Sequence, residues 1–233
     1  MSTNGLILCT HNSARIDGAS ADADAALAEL VATLTSMGAA CDAKAELARG
    51  LVFHREAWTL AERLGARYAQ VDIACNLVWS LPVLDGHDEA IAIAGEALAL
   101  GEYDGTPTLR NNLAWLLLER GRIDEASALY RRLASGDDPS LRCFAWARLI
   151  EVAARLVDGG CAAASQAALA AVAHTELYQA HAAVITAVLE HGSDADAARA
   201  LALLREQPLD AYSQQRLDRA IEQRGHLIAP SAR

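Results

Sequence analysis

From Ala21 onward, apolar positions return every three or four residues along this chain, the spacing that lays one stripe down an α-helix. Ala26, Leu27, Leu30, Val31 and Leu34 form the first stripe, and Gly38 reads as its stop. The pattern then predicts a pair at 40–50 and 54–65, broken near Gly50, followed by 67–82 with 87–100 and 106–120 with 123–135. Beyond these, 140–157 pairs with 161–172, 175–190 pairs with 194–206, and a capping helix covers 209–225. Gly86, Gly121, Gly159, Gly160 and Gly192 stand where a left-handed residue would close a helix, and Pro107, Pro139 and Pro208 interrupt or restart one. Connections this short predict antiparallel neighbours. Only residues 5–9, GLILC, read as strand, and 10–20 form a loop-like cluster. The expectation is therefore a loosely ordered, irregular segment over 1–20 and an all-α helical-repeat domain over 21–233.

The pattern also repeats as letters. NLVWSLPVLDGHDEA, from Asn76 to Ala90, returns 36 residues later as NLAWLLLERGRIDEA, from Asn112 to Ala126, with seven of fifteen positions identical. Self-similarity at a period of about 20–50 residues marks stacked units, none of which can bury its apolar face alone. Such architectures present surfaces for holding something and seldom enclose a reaction.

Composition narrows the function classes. Alanine dominates, Gly and Pro number only 15 and 5, and aromatics make up 5%, so helix formers prevail. A net charge of −10 argues against a nucleic-acid footprint, which needs clustered Lys and Arg. The five cysteines (Cys9, Cys41, Cys75, Cys143 and Cys161) are scattered and never form C-x-x-C, which fits reduced thiols better than disulfides or zinc. With no secretory opening and no apolar run of about 18 residues, the expectation is a soluble cytoplasmic protein without membrane attachment.

The unit NLAWLLLERGRIDEASALYRRLASGDDP resembles a tetratricopeptide repeat. Leu113, Ala114 and Leu117 match its first helix, Gly121 its turn, Asp124, Glu125, Ala126, Tyr130 and Leu133 its second helix, and Asp138-Pro139 the start of the next unit. The match is strong over 108–139 and fair over 72–104. In the earlier copy Asp85-Gly86 comes one residue late and Ala94 replaces the aromatic. The resemblance implies a right-handed α-solenoid of antiparallel helix pairs, whose first helices line a concave face that binds peptides or partner proteins.

Helical geometry places residues on that face independently. In the 106–120 helix, Asn112, Trp115 and Glu119 share a stripe at i, i+3 and i+7. The earlier copy puts Asn76, Trp79 and Val83 at those places, and another 36 residues leads to Arg148, Glu151 and Arg155. These nine form a candidate groove ladder. Asn can bond both donors and acceptors of an extended backbone, and Trp offers a large contact area with a polar tip. The alternative is structural, with each Trp packed between first helices and each Asn bonding a neighbouring backbone.

One enzymatic motif competes. Cys9-Thr10-His11-Asn12-Ser13-Ala14-Arg15 is a C-x5-R string after the strand-like run, similar to the phosphate loop of low-molecular-weight tyrosine phosphatases and related arsenate reductases. That resemblance implies Cys9 as nucleophile and Arg15 as oxyanion clamp, with Asn12 and Ser13 ordering the loop. It covers residues 5–15 alone. Ile16-Asp17-Gly18 begins no regular helix, no further strands supply a sheet, and Asp138-Pro139 already serves as a repeat boundary. His54, His87, His174, His181, His191 and His226 show no metal-ligand spacing, and glycine-rich nucleotide loops are missing.

The sequence therefore points to a non-catalytic scaffold or adaptor that binds a protein or peptide, with no cofactor and no metal, and leaves self-association open. A second class is a sensor or coupling module of a bacterial transcriptional or signalling system. The third is phosphatase or arsenate reductase activity at Cys9 and Arg15.

Overall fold

The computed structural model describes residues 22–156, 160–172, 178–204, 209 and 211–224. Among these, all regular structure is helical. The helices are α1 (Asp22–Ala43), α2 (Leu47–Leu64), α3 (Arg67–Ser80), α4 (His87–Ala99), α5 (Thr106–Glu119) and α6 (Ile123–Ala134). They continue as α7 (Pro139–Leu156), α8 (Cys161–Val172), α9 (Tyr178–His191), α10 (Asp194–Leu203) and α11 (Ala211–Gln223). None is long and apolar enough to cross a membrane. The chain divides into two compact units, the first ending at Ala126 and the second beginning at Ser127. The strand-like run at 5–9 lies outside the described residues.

In the first unit α3 is the central element. It packs against α1, α2, α4 and α5, and every residue from Ala69 to Val78 is buried. A helix enclosed on all sides needs no polar face, yet this one carries Gln70, Asp72 and Asn76 inward among its apolar residues. Its neighbours approach on alanines: Ala57 and Ala61 of α2 and Ala90, Ala94 and Ala97 of α4 are fully buried. In the second unit α9 takes the corresponding place, packed by α7, α8, α10 and α11. Val184, Ile185, Val188 and Leu189 are fully enclosed there, each worth about 1.5–3 kcal/mol of burial. α1 touches α3 and α3 touches α5 in the first unit, and α7 touches α9 and α9 touches α11 in the second.

The first two helices differ from the predicted division. α1 runs through Gly38 and α2 runs through Gly50, where a stop and a break were expected. Both glycines supply space and not a turn. A Cβ on Gly38 would stand 2.4 Å from His54 Cε1, and one on Gly50 would stand 2.3 Å from Asp42 Oδ1. The buried His54 Nε2 lies 2.9 Å from Asp42 Oδ2, and Ser80 Oγ donates to the same oxygen at 3.1 Å. One carboxylate thus ties α1, α2 and α3 together, and the two missing methyl groups make room for it.

The turns follow local chemistry. Gly121 takes the left-handed conformation (φ 72°) that ends α5, as its position predicts. Before α4 that role falls to Asp85 (φ 64°) instead of Gly86, because a 3-10 turn over Leu81–Leu84 extends α3. Asp138 Oδ1 accepts from the backbone N–H of Ser140 at 2.8 Å and of Leu141 at 2.9 Å, capping α7 with Pro139 in its first turn. The Asp-Pro pair therefore has a structural role at a helix start. Ser193 caps α10 reciprocally, accepting from Asp196 N–H at 3.2 Å and donating to Asp196 Oδ2 at 2.7 Å.

Candidate functional site

Rungs of the ladder occupy unlike environments. Asn76 and Asn112 are buried, at 1% and 0% exposure. Asn111 Nδ2 lies 3.4 Å from Asn112 Oδ1, and Asn76 Oδ1 has no hydrogen-bond partner among the described residues. Trp79 and Trp115 are half-buried, while Val83 and Glu119 are exposed. Val83 sits in the 3-10 turn and not on α3 proper, because Pro82 and the late turn displace it. In the first unit the stripe thus runs from interior amide to partly covered indole to open surface. Cys9 and Arg15 lie outside the described residues.

The third rung belongs to a charged cleft of about 620 Å³ in the second unit, lined by α7, the end of α9, and α11. Arg148, Glu151 and Arg155 come from α7, Glu190 and His191 from α9, and Arg216 and Gln223 from α11. Burial of Leu141, Cys143, Ile150 and Val152 fixes the rotation of α7 and turns the three charged residues to this side. On α11, Leu217 and Ala220 anchor the helix to the unit's core. Arg216, adjacent to Leu217, then reaches into the cleft.

Two glutamates hold the arginines in place. Arg148 Nη1 donates to Glu151 Oε2 at 2.7 Å, and Arg216 Nη2 donates to Glu151 Oε1 at 2.9 Å. Arg216 Nε also donates to Glu190 Oε1 at 2.9 Å, while its Nη2 meets Glu190 Oε2. Glu190 is thus gripped bidentately, a geometry that fixes the guanidinium plane. Burial works to raise the Glu151 pKa, but the charge of Arg148 and the Arg216 hydrogen bond outweigh it and hold the carboxyl below its usual range. Burial works against the Arg148 charge, and Glu151 together with Tyr130 more than restores it. The Arg216 pKa is raised, first by its bond to Glu190 and against partial burial.

Such a set is suited to recognition and poorly suited to proton transfer. Glu151 stays ionised, and arginine releases no proton in the working pH range. Three arginines face two glutamates, so one arginine charge has no carboxylate to balance it in the cleft. That surplus is Arg155, which is exposed and makes no ion pair among the described residues.

The other polar cluster, Asp42–His54–Ser80, has the residue types of a hydrolytic triad without its order. The serine hydroxyl bonds the carboxylate and not the imidazole, and the Asp42 and His54 side chains have no exposed surface. Nucleophilic catalysis needs a base bonded to the nucleophile and a path for substrate. This cluster is a packing element.

The 36-residue register reaches three of the residues that line this cleft, Arg148, Glu151 and Arg155, and does not reach Glu190, Arg216 and Gln223. No spacing rule connects these to α7, because Arg216 lies 65 residues from Glu151. The adjacency of Glu190 and His191 to the end of α9 was the available signal. Compared with known proteins, the chain matches no family model, no curated protein and no solved structure.

Proposed function

We propose that this chain is a non-catalytic, tetratricopeptide-like scaffold whose alternate helices bind a protein or peptide partner. The observation that carries the reading is the open cleft of α7, α9 and α11, lined by rigidly held arginines with one positive charge left over. Contact of α1 with α3, α3 with α5, α7 with α9 and α9 with α11 fits paired helices stacked in the tetratricopeptide manner. In the first unit the half-buried Trp79 and Trp115, with exposed Val83 and Glu119, supply the surface that a partner would cover.

Site-specific photo-crosslinking tests this. Ala154 lines the cleft, whereas Ala202 is exposed on α10. A photoreactive residue at 154 is expected to capture a polypeptide in cells that the same residue at 202 does not. Equal capture at both positions, or none at 154 and none at 119, would refute the scaffold reading.

A further inference from the structure

Building on the scaffold reading, we infer that the α7–α9–α11 cleft receives the side-chain carboxylate of an acidic partner segment. The chemistry of the cleft selects this ligand in three steps.

The first concerns unused donors. Arg155 has no partner among the described residues, and of the Arg216 nitrogens only Nε and Nη2 are engaged. Arg216 Nη1 therefore keeps its N–H donors, and Gln223 adds an amide on the same wall. Two guanidinium groups with spare donors form a receptor for a planar, bidentate acceptor. Because Arg216 is already clamped by Glu151 and Glu190, it loses little further side-chain freedom on binding.

The second step concerns charge. One surplus positive charge matches one monoanion. A phosphate dianion would meet the Glu151 and Glu190 carboxylates in the same recess, and like charges at this range are costly. The surrounding unit does not oppose an acidic ligand: residues 127–233 carry eleven basic against twelve acidic residues, whereas 1–126 carry nine against eighteen. The cleft lies in the half of the chain where an approaching carboxylate meets almost no net repulsion.

The third step decides between a side chain and a chain end. The cleft walls are helix side chains, and helical N–H groups beyond the first turn are committed to their own i−4 carbonyls. At the end of α9, Arg224 already occupies the carbonyls of Leu189 at 2.8 Å and Gly192 at 2.7 Å. A peptide main chain finds few backbone partners here. Recognition falls to an acidic head on a flexible stem, with its backbone running past the exposed Arg155 rim.

The full chain is titrated by fluorescence anisotropy with a short Glu-rich peptide, its Gln isostere and a Lys-rich counterpart, each with a free and an amidated C terminus. The Glu peptide is expected to bind at least about tenfold more tightly than the Gln isostere, irrespective of amidation. Added salt should weaken it several-fold, because Arg155 is exposed. Arg155→Glu should lower affinity about tenfold or more while shifting the thermal unfolding midpoint by only a few degrees, since Arg155 is exposed and makes no ion pair among the described residues. Equal binding of Glu and Gln peptides, dependence on a free C terminus, or indifference to Arg155→Glu would each overturn the assignment. Preference for the Gln or Lys peptide would end the carboxylate assignment while leaving the scaffold reading intact. That reading stands or falls separately, on the crosslinking at positions 154 and 119 against 202.

Discussion

Replacing Arg216 by methionine removes the fork that joins α11 to α7 and α9 while keeping much of its apolar stem. Among the described residues Glu190 then keeps only His191, whose Nε2 is 3.8 Å away, and Glu151 keeps Arg148 at 2.7 Å. Breaking a fully buried pair costs about 3–5 kcal/mol. The Arg216 side chain is 32% exposed, and Glu151 remains half-compensated, so solvent screening reduces the figure to about 2–3 kcal/mol. Leu217 and Ala220 still hold α11 in the core. The loss should therefore appear as easier local opening and not as global collapse.

Hydrogen exchange across 211–223 measures that opening, and protection at pH 7 should fall roughly 30- to 150-fold. The pH dependence has a defined sign. Glu151 has a lowered pKa in the folded chain, so its contribution is complete above the unfolded glutamate value near ~4.3 and is lost as pH falls through the folded value. The gap in protection between wild type and Arg216→Met should be full at neutral pH and close progressively below about pH 4. Protection of α11 within twofold of wild type at pH 7, or a gap that stays constant into acid, would refute the reasoning.

Other predictions follow from packing and burial. Gly38→Ala and Gly50→Ala should each destabilise the first unit by about 1–3 kcal/mol from overpacking, less the ~1 kcal/mol gained in helix propensity. Gly95→Ala in α4, where an added Cβ meets nothing within 4 Å, should stabilise by about 0.5–1 kcal/mol; thermal unfolding of the three variants reads both signs. Ser80→Ala removes one of the two donors to Asp42 Oδ2 and should cost about 1–3 kcal/mol, measured by urea titration. Burial, aided by the Asp196 charge and opposed by a bond to Ser165, raises the Cys161 thiol pKa. Its alkylation should therefore be slow at pH 7 and accelerate in alkali, while fully buried Cys75 and Cys143 resist labelling until the chain unfolds, as site-resolved mass spectrometry would show.

The helices from Arg67 onward were legible because their signals are local. The residues of the 106–120 prediction appear as Thr106–Glu119 and those of 161–172 as Cys161–Val172, each bounded by a glycine, a proline or a capping residue. The failures lie where a local signal meets a tertiary demand. Gly38 and Gly50 look like stops because glycine weakens a helix by about 1 kcal/mol. The Asp42–His54 contact between their helices offsets that cost, and nothing in the adjacent sequence announces it. Gly86 yielded its turn to Asp85 for a similar reason, since Pro82 favours a tighter turn that shifts the chain by one residue.

The candidate site was half legible, and its residues show where the limit lies. A 36-residue register combined with i, i+3, i+7 spacing carries position around a helix, and it brought Arg148, Glu151 and Arg155 to one face of α7. It carries no information about what covers that face. In the first unit the register puts Asn76 and Asn112 in the interior, where an amide can serve packing. On α7 the corresponding Arg148 keeps 20% of its side chain exposed beside the cleft. The exchange of amide for guanidinium, and of indole for Glu151, converts a packing register into a charged one. Only the long-range partners Glu190 and Arg216 then decide whether that charge is neutralised. Two glutamates against three arginines leave Arg155 as the unspent donor, and the ligand chemistry of the cleft follows from that imbalance.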